Sequence, residues 1–256
     1  MFSADLPSIL ATGAPAIYCA GLLLGFDSLM QRRSRALEPE SISGHDEAAR
    51  LLSERSRDVQ VSVATSPEAI AEAARLVSRR YAWRGYEAGH FHADSSGGTA
   101  PGSQEITFLA RNKEGTLGTL TLRLDSPHGL RAEESYRDTI SAVRAEGRRV
   151  CELTRLALDE ESNWKSVLAS LFSLAYAMGR SMHGVTDVFI EVNPRHVGFY
   201  QRALGFAVAA GERFCERVKA PSVLLKLELA DLERRLRVEP PPAVQGGPLT
   251  FAAAAA

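Results

Sequence analysis

The stretch TDVFIEVNPRHVGFYQRALGF, residues 186–206, decides the fold. Its first seven residues form an apolar, β-rich run of strand length. Asn193-Pro194 ends that run in the manner of a helix start, with a capping side chain followed by a proline at the first turn. A short amphipathic helix follows and stops at Gly205-Phe206, a glycine C-cap. The open question is whether Asn193 at the mouth of a strand, and Tyr200 seven residues on, serve packing or chemistry.

Working upstream, SNWKSVLASLFSLAYAMGRSMHG, residues 162–184, is a long amphipathic helix capped by Ser162 and ended by Gly184. RRVCELTRLALD, residues 148–159, is a strand before it. A strand, a long helix and another strand make a parallel βαβ unit over residues 149–192. Further out, VQVSVAT (59–65) alternates as a strand, and Ser66-Pro67-Glu68 starts a helix that runs to about Trp83. EITFLAR (105–111) and TLGTLTLRLDS (116–126), joined by NKEG, form a hairpin. Residues 132–145 read as a short helix, and FAVAAGERF and SVLLKLELA as two last strands. The class is α/β with a mixed central sheet.

Composition sets the bounds. The chain has 256 residues, 45% of them hydrophobic and 24% charged, enough for one ordinary domain with tails. Residues 1–58 read as a hydrophobic and charged leader with linker, 59–238 as the domain, and 239–256 as a Pro/Gly/Ala-rich tail expected to be disordered. A net charge of −1 gives no reason to expect a nucleic-acid partner. Three scattered cysteines, Cys19, Cys151 and Cys215, have no metal-ligand spacing, so no structural zinc is expected and a reducing compartment is. Cys151 reads as core. Residues 6–26 carry no charge and are long enough to cross a bilayer, but hold two prolines and three glycines. No basic residue precedes them, which disfavours export, and the arginines that follow would keep the domain cytoplasmic if they did span. The expected location is therefore cytoplasmic, with peripheral or anchored association with the inner membrane left open.

The element order and the 191–206 stretch resemble the GNAT acyltransferases. The resemblance covers about residues 59–230. It implies a GNAT-like mixed sheet in which two parallel strands splay apart and admit the pantetheine arm of an acyl donor. It also implies that Asn193 and Tyr200 line the reaction site, with Gly205-Phe206 as the helix end. Members that use coenzyme A place a Gly-rich loop before the long helix, where backbone N–H groups hold the pyrophosphate. Here the junction reads LALDEESNWKS, with no glycine and three acids, Asp159, Glu160 and Glu161. Those acids would repel a pyrophosphate, which points to acyl carrier protein rather than coenzyme A as donor.

Glu152, Thr154 and Arg155 in CELTRLALD resemble a motif of acyl-homoserine-lactone synthases. The chain is most similar to long-chain N-acyl amino acid synthases of the FeeM type, in RRYAWRGY, GTLGTLTLRLDS and ELTRLALD. This resemblance implies transfer of a fatty acyl group from acyl carrier protein to the α-amine of an amino acid in a bacterial cell, with no further cofactor and no metal.

Amide formation needs a neutral amine, a stabilised oxyanion and a leaving thiolate. Glu152 is the candidate base, a carboxylate in an otherwise apolar strand where it is costly unless used or paired. The structural alternative is an ion pair with Arg155 or another arginine. Strict alternation puts Glu152 and Arg155 on opposite faces unless a bulge intervenes, as it does in GNAT-type fourth strands. Arg155 is the candidate for the substrate carboxylate, or else it fixes a loop. Backbone near Leu156 and Ala157 would polarise the carbonyl. Tyr200 would protonate the thiolate, or simply pack its helix. Asn193 would bond the pantetheine, cap the helix, or both. Arg84, Trp83 and Tyr86 belong to a loop that the resemblance places over the site, with Arg84 toward the carrier; a dipole-favoured basic helix end is the plainer reading. His90 and His92 read as solvated loop and His196 as surface. Leu168 and Phe172 are core or acyl-tunnel wall. The rival functions are acetyl-coenzyme A-dependent N-acetylation, lactone synthesis, and acyl binding without turnover.

Overall fold

The computed structural model describes residues 59–85, 104–160 and 164–236. The strands are β1 Gln60–Val63, β2 Gln104–Asn112, β3 Gly115–Leu124, β4 Val150–Leu158, β5 Asp187–Val192, β6 Ala207–Cys215 and β7 Ala220–Glu228. The helices are α1 Pro67–Trp83, α2 Glu133–Ala145, α3 Trp164–Tyr176, α4 Val197–Leu204 and α5 Leu229–Leu236. The hydrophobic leader, residues 6–26, lies outside the described residues. Among the described residues no helix is long and apolar enough to cross a membrane.

All seven strands form one sheet in the order β1-β2-β3-β4-β5-β7-β6. Every neighbouring pair is antiparallel except β4 and β5, the two ends of the βαβ unit. Alternation along the strands sorts two layers. Leu122, Cys151, Leu153 and Ile190 face α3, α4 and α5, where Val167, Leu168, Leu171 and Phe172 are buried. Val150, Phe189 and Leu224 face the other way and meet Tyr136, Ile140 and Val143 of α2. On that same side α1 packs Leu76 and Val77 against Ala157. Its start is held as the sequence implies: Ser66 Oγ accepts from Ala69 N at 3.2 Å, with Pro67 in the first turn. Gly118 in β3 lets α3 come close. A Cβ there would stand 2.8 Å from Val167 Cγ1 and 2.9 Å from Leu158 Cδ2.

Two elements differ from expectation. The last strand ends at Glu228, and Leu229–Leu236 is a helix. Leu229 and Leu232 are buried and Leu236 packs beside them, a helical rather than strand spacing. The long helix also changes pitch, becoming a π-helix over Ala177–Met182.

Two features position the site. The β4–β5 pairing runs only over Val150↔Asp187, Cys151↔Val188 and Glu152↔Phe189. Beyond Glu152 the strands continue without pairing to each other, so the sheet opens in its middle. β4 also bulges against β3. Thr121 pairs Thr154 and Thr119 pairs Ala157, so Arg155 and Leu156 together face Leu120. Arg155 takes a left-handed backbone, φ 52°. A bulge of this kind turns the side chains that follow it to the opposite face.

Candidate active site

A cleft of about 750 Å3 follows the opening between β4 and β5. Glu152, Thr154, Arg155, Leu156 and Ala157 line it from β4, and Ile190, Glu191 and Val192 from β5. Asn193, Tyr200 and Arg84 also line it. Trp83 is not among the lining residues. It ends α1 as a residue 68% exposed, its ring beneath the Arg80 guanidinium at 5.0 Å. Tyr86, His90 and His92 lie outside the described residues, as does Ser162.

Glu152 is 2% exposed. Its expected structural partner, Arg155, is engaged elsewhere. One Glu152 oxygen accepts the Ala132 N–H at 3.1 Å. Burial pushes its pKa up, partly offset by the positive charge of Arg217 and the Ala132 N–H. The carboxyl therefore titrates above the usual carboxylate range, which suits a base.

Arg155 reaches the same side of the sheet as Glu152 because of the bulge. Its Nη1 lies 3.1 Å from Glu105 Oε2. Glu105 also takes Arg123 at 2.7 Å and Arg131 at 3.1 Å. Burial pushes the Glu105 carboxyl up, but Arg155, Arg131 and Arg123 outweigh it and hold the carboxyl below its usual range. Three guanidinium groups thus share one buried carboxylate, and two of them, Arg131 and Arg155, line the cleft. This favours an anionic group there. Glu105 sits at the start of β2, and its sequence context, a lone acid opening a hairpin, gave no sign of the cluster.

Tyr200 is held by edge-on rings, Phe199 at 5.2 Å and Phe206 at 6.0 Å between centroids. Burial pushes its phenol pKa up, with the neighbouring Tyr81 adding to the rise. The phenol therefore keeps its proton and can donate a hydrogen bond. Asn193 does cap: its Oδ1 accepts from Arg195 N at 3.2 Å, while its Nδ2 donates to Pro221 O at 3.4 Å. That cap stands at the cleft wall. His196, expected at the surface, is half-buried and lines the cleft. Its Nε2 lies 3.3 Å from Arg84 Nη1 and 3.2 Å from Arg195 Nε. Burial first, then those two arginines, lowers its pKa, so the ring is neutral.

The ion pairs at the β4–α3 junction also correct the charge argument made there. Asp159 lies 2.9 Å from Arg79, and Glu160 pairs with Arg80. Two of the three acids are already matched by cations of α1, so their repulsion of a phosphate is weaker than the sequence implied. Apolar walls lie deeper: Leu120, Leu153, Leu168 and Phe172 line the cleft. Leu153 and Phe172 also line a small apolar cavity of about 30 Å3 beneath α3. Cys151 is buried in the core, and burial raises its thiol pKa far above neutrality, as fits a packing role. Among the described residues no cluster of three or more metal-ligating side chains exists.

A family model described as N-acyl amino acid synthase FeeM matches residues 72–228. The chain belongs to the FeeM family. A solved structure of FeeM, an N-acyl amino acid synthase from uncultured soil microbes, is 25% identical, with a TM-score of 0.61. That match covers 69% of this chain and 94% of that one. A putative N-acetyltransferase from Lactobacillus plantarum is 16% identical over 68% of this chain and 99% of its own, with a TM-score of 0.47. An acetyltransferase from Streptococcus agalactiae is 12% identical over 67% and 99%, with a TM-score of 0.48. No curated protein sequence matches the chain. The sheet with its single parted parallel pair is the GNAT-like fold, and membership of this family makes the chain an N-acyltransferase.

Proposed function

We propose that this protein transfers a long-chain fatty acyl group from acyl carrier protein to the α-amine of an amino acid in the cytoplasm. The observation that carries the reading is Glu152: a buried carboxyl of raised pKa, at the point where β4 and β5 part, with an arginine-rich cluster beside it.

The extended pantetheine arm lies in the gap, beside Asn193 and the unpaired run of β4. The acyl chain runs along Leu168 and Phe172. The amino acid's carboxylate sits toward Arg155 and Arg131, and its ammonium gives one proton to Glu152. The neutral amine attacks the thioester carbon, and backbone N–H groups around Leu156 and Ala157 stabilise the oxyanion. The C–N bond forms, the C–S bond breaks, and the second amine proton passes through solvent to the departing thiolate. The thiolate leaves under a hydrogen bond from Tyr200 and ends as the free thiol. Arg84 at the mouth faces the carrier side. The choice of carrier protein over coenzyme A rests on the glycine-free junction, since two of the acids there are paired.

The test is a mass-spectrometric product screen. The full chain receives a long-chain acyl carrier protein, or the matching acyl-coenzyme A, with a pool of amino acids. N-acyl amino acid from the carrier protein is the expected result. Product from coenzyme A alone overturns the donor assignment, and product from neither overturns the reaction.

A further inference from the structure

The acceptor end of the cleft holds charged groups that the reaction above does not use. Glu191 of β5 has its side chain only 7% exposed. It accepts from Ser222 Oγ at 2.7 Å and pairs with Arg217 from the β6–β7 turn. Ser222 is fixed in turn, since Tyr136 Oη donates to its carbonyl at 2.7 Å. Arg217 Nε also stands 3.0 Å from Glu134 Oε2, in charge contact but off the hydrogen-bonding direction. Glu134 opens α2 at the rim, with its side chain 59% exposed. Glu134, Glu191, Arg217 and Ser222 all line the cleft, beside the aliphatic Val218 and Pro221.

This wall has a definite chemical preference. An apolar side chain pressed against it would desolvate Glu191 and Arg217 without replacing their water. An acidic side chain would meet two carboxylates for one arginine. A cation on a flexible stem fits both parts of the wall. Its methylenes lie along Val218 and Pro221, while its charged head reaches the half-exposed rim at Glu134 and stays wet. Once Glu152 takes the amine proton and Arg155 the substrate carboxylate, the remaining wall carries two carboxylates against Arg217. A second positive charge on the acceptor is attracted to that wall locally, beside the Glu105 cluster, whose three guanidinium groups exceed its own carboxylate and the substrate's together by one charge.

Resting on the function proposed above, we infer that the acceptor is a basic amino acid, of the ornithine, lysine or arginine class, acylated at its α-amine. Glu134 and Glu191 determine that specificity.

The test compares kcat/KM for lysine, Nε-acetyl-lysine and leucine with the full chain and its acyl donor. Nε-acetyl-lysine keeps the stem and removes the charge. Lysine is expected to be up to about fivefold better than either neutral acceptor, the upper end for a surface-exposed charge contact. Glu134→Gln should lower kcat/KM for lysine several-fold more than for leucine, with an unchanged thermal midpoint. Acylation of Nε-acetyl-lysine or leucine at least as fast as lysine overturns the specificity while leaving the acyl transfer standing. An equal effect of Glu134→Gln on all three acceptors does the same. No amide with any amino acid refutes the reaction itself and this inference with it.

Discussion

Replacing Tyr200 by Phe removes one oxygen and leaves the ring. The contacts that hold the ring, Phe199 at 5.2 Å and Phe206 at 6.0 Å, involve ring atoms only and survive the change. Stability should shift by less than about 1 kcal/mol, which in a domain of this size is about 2–4 °C in Tm. The catalytic loss can be bounded. A thiol leaving group has a pKa of about 8.5, while burial holds Tyr200 above the ordinary tyrosine value. On the proposed mechanism full proton transfer from phenol to thiolate would therefore be uphill, and Tyr200 would act as a hydrogen-bond donor to the departing sulfur. A hydrogen bond to a charged group contributes about 1.5–3 kcal/mol. The corresponding fall in kcat is roughly ten- to a hundredfold, with KM for the amino acid little changed. Single-turnover release of thiol, followed beside a thermal melt, measures both quantities. An unchanged kcat with a falling Tm would refute the reasoning and return Tyr200 to packing. A loss beyond about a thousandfold would mean that the phenol does more than hold the sulfur.

Glu152→Gln should lower kcat/KM by about 100-fold or more. The raised carboxyl predicts a sign for the pH profile: the wild-type rate falls as pH drops through a value above the ordinary glutamate range, and the variant lacks that limb. A pH–rate series in which the two proteins share the same acidic limb would remove Glu152 as base. Glu105→Gln leaves three guanidinium groups around a neutral amide, which should cost about 3 kcal/mol and lower Tm by roughly 6–12 °C. Because the folded carboxyl lies below its usual range, that stability is present at neutral pH and is lost as pH falls below about 4. Acid melts of the wild type and Glu105→Gln should converge there, and parallel curves would contradict the assignment. Gly118→Ala forces a methyl against Val167, Leu158 and Leu171. It should destabilise by about 1–3 kcal/mol, read from a denaturant midpoint, without changing relative acceptor rates.

Much of this was legible in the sequence, for identifiable reasons. The βαβ unit announced itself because two apolar runs flank an amphipathic helix with a cap at each end. The Asn193-Pro194 start and the Gly205 stop were readable because capping is local chemistry, settled within a few residues. The bulge at Arg155 was anticipated only through the resemblance to a family. Nothing in ELTRLAL itself marks an arginine with φ 52°. Long-range charge pairing was not legible at all. Glu105 meets Arg123, Arg131 and Arg155 across three separate segments, and no periodicity records such a meeting. The same holds for Arg79 and Arg80 against Asp159 and Glu160. His196 looked like surface because its neighbours are polar, but α1 brings Arg84 to it. The helix Leu229–Leu236 could have been found, since its leucines fall at helical spacing directly after a strand.

The parted sheet has a further consequence. Amides at the middle of a sheet are ordinarily the slowest in a protein to exchange with solvent deuterium. Here the two strands that separate after Glu152 and Phe189 present inner edges at the centre of the molecule, with backbone groups unclaimed by each other. Fast-exchanging positions are therefore expected beside slow ones within β4 and β5. If the donor lies extended in the gap as proposed, it would complete the missing ladder, and those amides should become protected as it binds. Occupancy of the enzyme would then be visible as the closing of a hole in its own exchange map.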